Sequence, residues 1–426
     1  MTSHMVLQAA CPRAEGLHSY GARRNRVAPF PSQGPPSVRR VPVGPRLEPF
    51  PGLVRLIIEQ LRLRGGVACR PRCPKKEQDL QARAFHEPLR QGTLERLPLI
   101  TLYLTERCNS RCVTCDYWRH GRADMNLESV TQLLPSLVQL QTQVVLISGG
   151  EPLLNPEWAD IAQLLRENGL QLWLLTSGLS LAKHARRASQ LFHAITVSLD
   201  GTNSATYAAI RGLDAFDKVC AGIQAAATTG VPVSVRVTVQ QANYRQLPEF
   251  VELARRLGTR QISFLPVDVA NPHAFGRADE FGTNLALRRQ DLPELEQILC
   301  DMERDNADDF RSGFIAESPA RLRRIHQYFA AVCGAGSYPP VRCNAPELSA
   351  VINAKRQVSP CFFIPGPPDT AQNDLEAVLN GDSMIALREN IRSGSRPECA
   401  TCVCSLWREP DSRATSDFLL PRQANV

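Results

Sequence analysis

The stretch "LITLYLTERCNSRCVTC", residues 99–115, decides the fold. It begins with an apolar run, LITLYLT, which predicts a short buried strand. Three cysteines follow directly, at spacing C-x3-C-x2-C: Cys108, Cys112 and Cys115. Thiolates are soft ligands that suit zinc, copper(I) or iron-sulfur clusters. Three of them are one too few for a closed tetrahedral site, so the stretch predicts a metal site with one position left for another ligand.

Two interpretations of the fourth position remain open on spacing alone. His120 follows Cys115 by five residues and could complete a zinc site. Alternatively, a 4Fe-4S cube held by three cysteines leaves one iron open to a further ligand.

Downstream of this strand the chain alternates short apolar runs with amphipathic helical patterns, several of which end in the glycine that terminates helices. The five further strand-like runs are VVLISGG (144–150), LQLWLLTSG (170–178), AITVSLDG (194–201), VSVRVTVQ (233–240) and QISFLPV (261–267). Six strand-helix units in succession predict an α/β fold with a parallel sheet and crossover helices. Chemistry is then expected on the loops beyond the carboxyl ends of the strands.

The three-cysteine motif after the first strand resembles the signature of the radical S-adenosylmethionine (SAM) superfamily. The resemblance covers about residues 99–267 and implies a partial (β/α)6 TIM-like barrel. In that family the three cysteines hold a 4Fe-4S cluster whose open iron is chelated by the amino and carboxylate groups of SAM. An electron from the cluster then splits the sulfonium to give a 5′-deoxyadenosyl radical. The resemblance therefore implies an enzyme, with Cys108, Cys112 and Cys115 as cluster ligands.

The end of the second strand carries a further element of the family pattern. SGGEP at 148–152 resembles the GGE element that reaches the amino group of the methionyl moiety. The resemblance implies that Gly149 and Gly150 let the backbone approach the cosubstrate and that Glu151 accepts a hydrogen bond from its ammonium.

The third and fourth strands also end in polar groups that match the family pattern. LTSG at 175–178 stands where many relatives have Thr-Asn-Gly, so Ser177 either binds the cosubstrate or forms a turn. VSLDG at 197–201 matches a Ser-x-Asp pattern. Ser198 is implied as a ligand of the cosubstrate's polar groups, and Asp200 either binds its ribose or caps the next helix.

A charged residue interrupts the fifth strand, because Arg236 lies among valines in VSVRVTV. A charge in an apolar strand is costly unless it is paired. The resemblance implies the carboxylate of bound SAM as the partner, and a salt bridge to a barrel acid is the alternative. Arg211, in AIRG at 209–212, is expected to be structural.

The adenine contact departs from the family pattern. Relatives often carry an aromatic residue just before the third cysteine, where it stacks on adenine, but this chain has Thr114 there. Tyr117 is predicted to take that role, with Trp118 as the alternative.

A second set of cysteines lies near the C-terminus: Cys343, Cys361, Cys399 and Cys402. Four thiols spaced in this way can close a zinc site or a fully ligated cluster. SAVINAKRQVSPCFF at 349–363 predicts a small hairpin that turns at about NAKR, although the turn lacks an Asn-Gly or Asp-Gly pair.

Together with the barrel upstream, this layout resembles the shortened SPASM module called a twitch domain. It implies a second, auxiliary 4Fe-4S cluster. Cys404 could replace Cys402 as its fourth ligand, and we expect Cys402.

Composition limits which kinds of partner and which cellular location we expect. The chain has a net charge of +7, but residues 1–50 hold seven arginines and only two acids, so the charge does not indicate a nucleic-acid partner. No apolar run is long enough to cross a membrane and no secretory signal is present. Fourteen cysteines without an export signal favour a reducing compartment, and we expect a cytoplasmic location. The Arg-rich start could alternatively be an organelle transit peptide.

The pattern predicts six regions along the chain. They are a disordered Pro/Arg-rich extension (1–50), a helical segment (51–96), the radical SAM partial barrel (97–280), linking helices (281–334), a small cysteine-rich α+β auxiliary-cluster domain of SPASM/twitch type (335–410) and a tail (411–426).

The resemblance implies hydrogen abstraction from a substrate held between barrel and tail, in a net oxidation or other modification. It also implies an electron donor of the flavodoxin or ferredoxin type. A small-molecule substrate is favoured because the N-terminal segment shows no peptide-binding module, and a peptide or protein substrate is the alternative. A non-catalytic zinc or iron-sulfur binding protein is a hypothesis from another class, but it does not explain SGGEP, VSLDG and Arg236 at successive strand ends.

Overall fold

The computed structural model describes residues 92–408, except 274, 276–282 and 369–373. The predicted disordered extension, most of the helical segment at 51–96 and the tail at 411–426 therefore lie outside the described residues.

Eight strands form one sheet in the order β6-β5-β4-β3-β2-β1-β7-β8. The first six are parallel to their neighbours. In chain order they are Leu99–Tyr103, Val144–Ser148, Gln171–Thr176, Ala194–Ser198, Val233–Val239 and Gln261–Pro266. All six predicted strands are thus confirmed, and the mostly parallel α/β sheet is consistent with a partial TIM barrel.

Helices connect these strands and turn an apolar face to the sheet. In α4 that face consists of Leu181, Ala185, Ala188 and Leu191, at helical spacing. The helices up to the sixth strand are α1 (Tyr117–His120), α2 (Leu127–Gln139), α3 (Trp158–Glu167), α4 (Leu181–Leu191), α5 (Ser204–Arg211), α6 (Phe216–Ala227) and α7 (Leu247–Arg256).

The linking segment contains three helices, α8 (Leu292–Asp305), α9 (Ala307–Ser312) and α10 (Pro319–Val332). The sequence pattern predicts one helix over 292–310, but Asn306 leaves helical geometry, with φ −109° and ψ 27°, and divides it into α8 and α9. Helix α10 packs against α8 and β6.

The cysteine-rich segment joins the barrel sheet directly. Strand β7 (Ser349–Ile352) follows α11 (Ala345–Leu348) and pairs in parallel with β1. Strand β8 (Val358–Ser359) then pairs with β7 in antiparallel fashion, which confirms the predicted hairpin. Three helices follow, α12 (Leu375–Leu379), α13 (Asp382–Arg392) and α14 (Pro397–Ala400).

The hairpin turn is stabilised by a side chain rather than by a glycine. Asn353 Oδ1 accepts hydrogen bonds from the backbone N–H groups of Lys355 and Gln357. Arg356 takes the left-handed conformation that the turn requires, at φ +67°. This explains why the turn lacks the Asn-Gly or Asp-Gly pair.

Candidate functional site

Cys108, Cys112 and Cys115 lie on the loop between β1 and α1, and all three thiols are free and partly buried. Burial, with a smaller contribution from the neighbouring Cys112, raises the pKa of Cys108 to about 11 and that of Cys115 to about 12. Three clustered, poorly hydrated thiols are unfavourable as anions unless a cation is bound between them. The donor set therefore fits a cationic iron-sulfur centre.

A second loop, AIRG at the end of α5, supports the cysteine loop through the backbone. Arg111 N donates to Arg211 O at 3.0 Å, and Val113 N donates to Ile210 O at 2.9 Å. Gly212 has φ +73°, and a Cβ atom there would lie 2.3 Å from Arg111 O. The sequence pattern did not predict this contact, although the glycine of AIRG is a signal of a close backbone approach.

The side chain of Arg211 links the cysteine loop to the fourth strand. Its Nη1 lies 3.2 Å from Asp200 Oδ2, and its Nη2 donates to Ser198 O at 3.2 Å. Burial raises the pKa of the Cys112 thiol, and the nearby positive charge of Arg211 partly opposes that rise. Burial alone would lower the pKa of Arg211, but Cys112 and Asp200 outweigh it and raise that pKa. Arg211 is therefore charged and structural, as expected.

Asp200 is almost completely buried and accepts a hydrogen bond from Thr238 N at 2.7 Å. Burial raises the pKa of its carboxyl, whereas Arg211 and Thr238 N lower it. The helix-capping alternative for Asp200 is wrong, because the cap of α5 is Asn203, whose side chain accepts from Thr206 N. A ribose contact for Asp200 stays a prediction.

The SGGE loop after β2 contacts the cysteine loop closely. Gly150 N donates to Thr105 O, and Glu151 N donates to Arg107 O, both at 2.8 Å. A Cβ atom at Gly149 would lie 2.6 Å from Thr105 O, and one at Gly150 would lie 2.2 Å from Arg107 O. In this structure the two glycines therefore permit the contact between the loops.

Glu151 is fully buried, and its carboxylate accepts several hydrogen bonds from the end of β3. The donors are Thr176 Oγ1 at 2.7 Å, Ser177 N at 2.7 Å and Ser177 Oγ at 2.6 Å. Ser177 Oγ also lies 3.2 Å from Asn109 Oδ1 on the cysteine loop. Because these donors already occupy both oxygens, a cosubstrate ammonium would have to share or displace one of them.

Ser198, Arg236 and Ser263 are register partners on β4, β5 and β6. The valines of β5 are buried, whereas the Arg236 side chain is exposed on the opposite face and its Nε donates to Ser263 Oγ at 3.3 Å. The SAM carboxylate as partner of Arg236 stays a prediction. Burial raises the pKa of Glu317, an acid of the linking segment, and Arg236 partly opposes that rise.

A cavity of about 330 Å³ lies between the SGGE loop and the C-terminal hairpin. Its lining includes Gly149, Gly150, Tyr103, Tyr117, Cys361 and Phe362. Tyr103 packs edge-on against Tyr117, with ring centroids 5.7 Å apart, and stacks with Phe362 at 6.4 Å. Trp118 instead lines a separate cavity beside Cys108. Of the two aromatic alternatives, Tyr117 is thus the one beside the two glycines.

The C-terminal cysteines lie near one another. Burial raises the pKa of Cys361 to about 12, and Cys343 and Cys399 contribute to that rise. Burial also raises the pKa of Cys402, with contributions from Cys404, Cys343 and Cys361. Cys404 is more exposed than the other four.

Two of these sulfurs accept backbone hydrogen bonds, Cys361 Sγ from Phe363 N and Cys402 Sγ from Cys404 N, both at 3.4 Å. The soft donors fit an iron-sulfur cluster, and sulfurs that bind different irons of one cluster need not converge on one point. Within the part of the chain that the structure describes, no three His, Cys, Asp or Glu side chains converge on a single metal-ion position. The side chain of His120 lies outside the described residues.

Sequence comparison places these loops in a known family. A family model for the Radical SAM superfamily matches residues 102–254, which contain the cysteine loop, the SGGE loop and Arg236. The matched part of the chain, residues 102–254, is therefore a radical SAM domain.

Two curated relatives illustrate the range of similar proteins. The chain is 28% identical to molybdenum cofactor biosynthesis protein 1 of Bos taurus, over 70% of this chain and 44% of that protein. It is 29% identical to the AdoMet-dependent heme synthase of Methanosarcina barkeri, over 38% of this chain and 48% of that protein. The chain thus spans less than half the length of these two relatives.

Two solved structures bound to S-adenosylmethionine share the fold. Streptococcus suis SuiB bound to S-adenosylmethionine matches with a TM-score of 0.55 at 16% identity, over 83% of this chain and 84% of SuiB. The anSMEcpe complex with AdoMet and the Cp18Cys peptide matches with a TM-score of 0.53 at 17% identity, over 72% of this chain and 89% of that chain.

Over the described residues of this chain, no helix is both long and apolar enough to cross a membrane.

Proposed function

We propose that this radical SAM chain is an enzyme that cleaves S-adenosylmethionine reductively and abstracts a hydrogen atom from a substrate. A 4Fe-4S cluster on Cys108, Cys112 and Cys115, when bound, supplies the electron that splits the sulfonium. The observation that supports this proposal most strongly is a pair of backbone hydrogen bonds, in which Gly150 N donates to Thr105 O and Glu151 N donates to Arg107 O, both at 2.8 Å. They hold the candidate SAM-binding loop against the candidate cluster loop.

The chain's own residues then have assigned roles. Gly149 and Gly150 line the 330 Å³ cavity and leave room for the methionyl group, while Tyr117 offers an aromatic wall for adenine. Ser177 connects Glu151 to the cysteine loop. Burial, with a contribution from Cys115, raises the pKa of Tyr117 to about 12.

Ser198, Asp200 and Arg236 complete the cosubstrate site in this proposal. Ser198 and Arg236 are register partners, so both reach the same level of the open sheet face and suit the SAM carboxylate. Asp200 is oriented by Arg211 and is assigned to the ribose.

The C-terminal cysteines are proposed to hold an auxiliary 4Fe-4S cluster in a SPASM/twitch-type module. Cys343, Cys361, Cys399 and Cys402 are the expected ligands. Tyr103 supports a link between the two centres, because its ring contacts Tyr117, two residues after Cys115, and Phe362, next to Cys361. Such a cluster could accept the electron left on the substrate, which makes the net reaction an oxidation.

A small-molecule substrate is proposed to bind at the hairpin end of the 330 Å³ cavity, beside Cys361 and Phe362, while the methionyl group occupies the end at Gly149 and Gly150. A peptide is the second candidate, because the fold neighbour SuiB was solved bound to a precursor peptide. A flavodoxin- or ferredoxin-type donor and a cytoplasmic location complete the proposal.

The test is anaerobic incubation of reconstituted protein with dithionite and SAM, with chromatographic detection of 5′-deoxyadenosine. Wild type and Cys220→Ala should both form it, since Cys220 packs against the core away from the cysteine loop. Cys112→Ala should form none. No product from wild type with verified clusters would refute the proposal.

A further inference from the structure

A second cavity, of about 180 Å³, lies between β6, helix α10 and residues 402–405. Three arginines, one carboxylate and two of the C-terminal cysteines line it: Arg236, Arg321, Arg324, Glu317, Cys402 and Cys404. The cations therefore exceed the anions by two in a recess that borders the candidate auxiliary centre.

Helix α10 places Arg321 and Arg324 on one face. Arg321, Arg324, Ile325 and Tyr328 follow one another at helical spacing, and Ile325 and Tyr328 are buried. The buried pair fixes the rotation of α10, so Arg321 and Arg324 face the cavity. Arg324 Nη2 donates to Pro340 O at 2.7 Å, which orients its guanidinium and leaves further N–H donors for a ligand.

Glu317 accounts for only one of the three positive charges. Its Oε2 accepts from Phe264 N at 2.9 Å, so the carboxylate is held at the edge of β6. Burial raises the pKa of Glu317, and Arg236 and Arg321 partly oppose that rise, which places both near the same carboxylate. Arg236 is assigned to the SAM carboxylate above and Glu317 offsets one further charge, so Arg321 and Arg324 together leave one net positive charge for another anion.

We propose that this cavity binds an oxyanion group of the substrate, a carboxylate or a phosphate, beside Cys404. The proposal rests on the proposed function, because it assigns a chemical class to the substrate of that reaction, at a cavity separate from the 330 Å³ one. Guanidinium forks match both groups with paired, charge-assisted hydrogen bonds. The volume of 180 Å³ holds such a group with a few attached atoms.

The experiment measures binding of inorganic phosphate and of malonate to the reconstituted protein by isothermal titration calorimetry. The variants are the double substitution Arg321→Ala/Arg324→Ala and the single substitution Arg321→Lys. The matched control is Arg323→Ala, on the same helix, whose side chain pairs with Glu303 instead.

We expect wild type and Arg323→Ala to bind equally and the double variant to bind at least about tenfold more weakly. Arg321→Lys, which keeps the charge but not the fork, should give an intermediate loss. Tighter binding of phosphate than of malonate identifies a phosphorylated substrate, and the reverse order identifies a carboxylate. Circular dichroism checks that the double variant is folded.

The proposal is overturned if wild type binds neither anion or if the folded double variant binds as wild type does. Formation of 5′-deoxyadenosine by wild type is scored separately. If wild type forms none and the double variant still loses affinity, the proposed function fails while the anion site stands.

Discussion

Arg211 and Asp200 form a buried ion pair, with Nη1 and Oδ2 3.2 Å apart, and the same positive charge acts to lower the pKa of the Cys112 thiol, which burial raises. Arg211 thus connects the end of the fourth strand to the cysteine loop, while its backbone O accepts from Arg111 N. A positive charge beside a cluster sulfur also favours the reduced, more negative state of a cluster.

Replacing Arg211 should weaken both the fold and the cluster site. Arg211→Met leaves the Asp200 carboxyl without its buried partner, which should lower the free energy of unfolding of the apoprotein by about 3 kcal/mol. The reconstituted variant should also have a more negative cluster reduction potential than wild type. Chemical denaturation and redox titration followed by electron paramagnetic resonance (EPR) measure the two effects.

Arg111→Ala is the control, because Arg111 is an exposed neighbour on the same loop. It should change the free energy of unfolding by less than about 0.5 kcal/mol. Equal stability and equal potential for the Arg211 and Arg111 variants would contradict the role assigned to Arg211.

Gly150→Ala should separate the SGGE loop from the cysteine loop, because the new methyl group would lie 2.2 Å from Arg107 O. We expect a lower melting temperature and a loss of SAM affinity together. Gly169→Ala is the control for the loss of glycine's backbone freedom without a steric clash. Gly169 has φ +81°, but a Cβ atom there would have nothing within 4 Å. That control should cost only about 1 kcal/mol and leave SAM affinity unchanged, and a comparable loss of affinity in both variants would refute the steric argument.

Glu151→Gln removes an acceptor from Thr176 Oγ1 and from Ser177 and replaces it with an amide that cannot accept all of these bonds. The free energy of unfolding should fall by about 1–3 kcal/mol. Equilibrium dialysis should show weaker SAM binding, because the cosubstrate ammonium loses its anionic partner. Glu167→Gln, at an exposed helical position, should change neither quantity. Unaltered SAM affinity in Glu151→Gln would exclude Glu151 from the cosubstrate site.

Much of the barrel could be predicted from the sequence, because strand-forming runs and polar strand ends are local signals. All six strands lie within the predicted stretches, and the cysteine loop and SGGE loop meet at the same edge. The contact between AIRG and the cysteine loop could not be predicted, since it joins segments about 100 residues apart with no periodic pattern between them. The parallel pairing of β7 with β1 depends likewise on tertiary packing.

The fifth strand shows what a local pattern can predict. The run VSVRVTV alternates valines with polar residues, and in the structure the valines are buried while Arg236 is exposed on the alternate face. A strand that lines an open face needs only every second residue to be apolar. The orientation of that face depends on the helices packed behind it.

The auxiliary site can be tested by iron content. Wild type reconstituted anaerobically should bind about eight irons per chain, and Cys361→Ser should bind about four. Cys402→Ser should resemble Cys361→Ser, whereas Cys404→Ser should resemble wild type. The reverse order for Cys402 and Cys404 would exchange their assigned roles, and about four irons in wild type with one equivalent of zinc would replace the auxiliary cluster by a zinc site.

The most direct test of the central claim is the EPR spectrum of the reduced cluster on Cys108, Cys112 and Cys115, recorded with and without SAM. A Cys343→Ser/Cys361→Ser variant removes the auxiliary signal, so a single cluster remains. The account predicts that SAM changes the g values of that cluster, because the cosubstrate binds its open iron. An identical spectrum at saturating SAM would contradict the account.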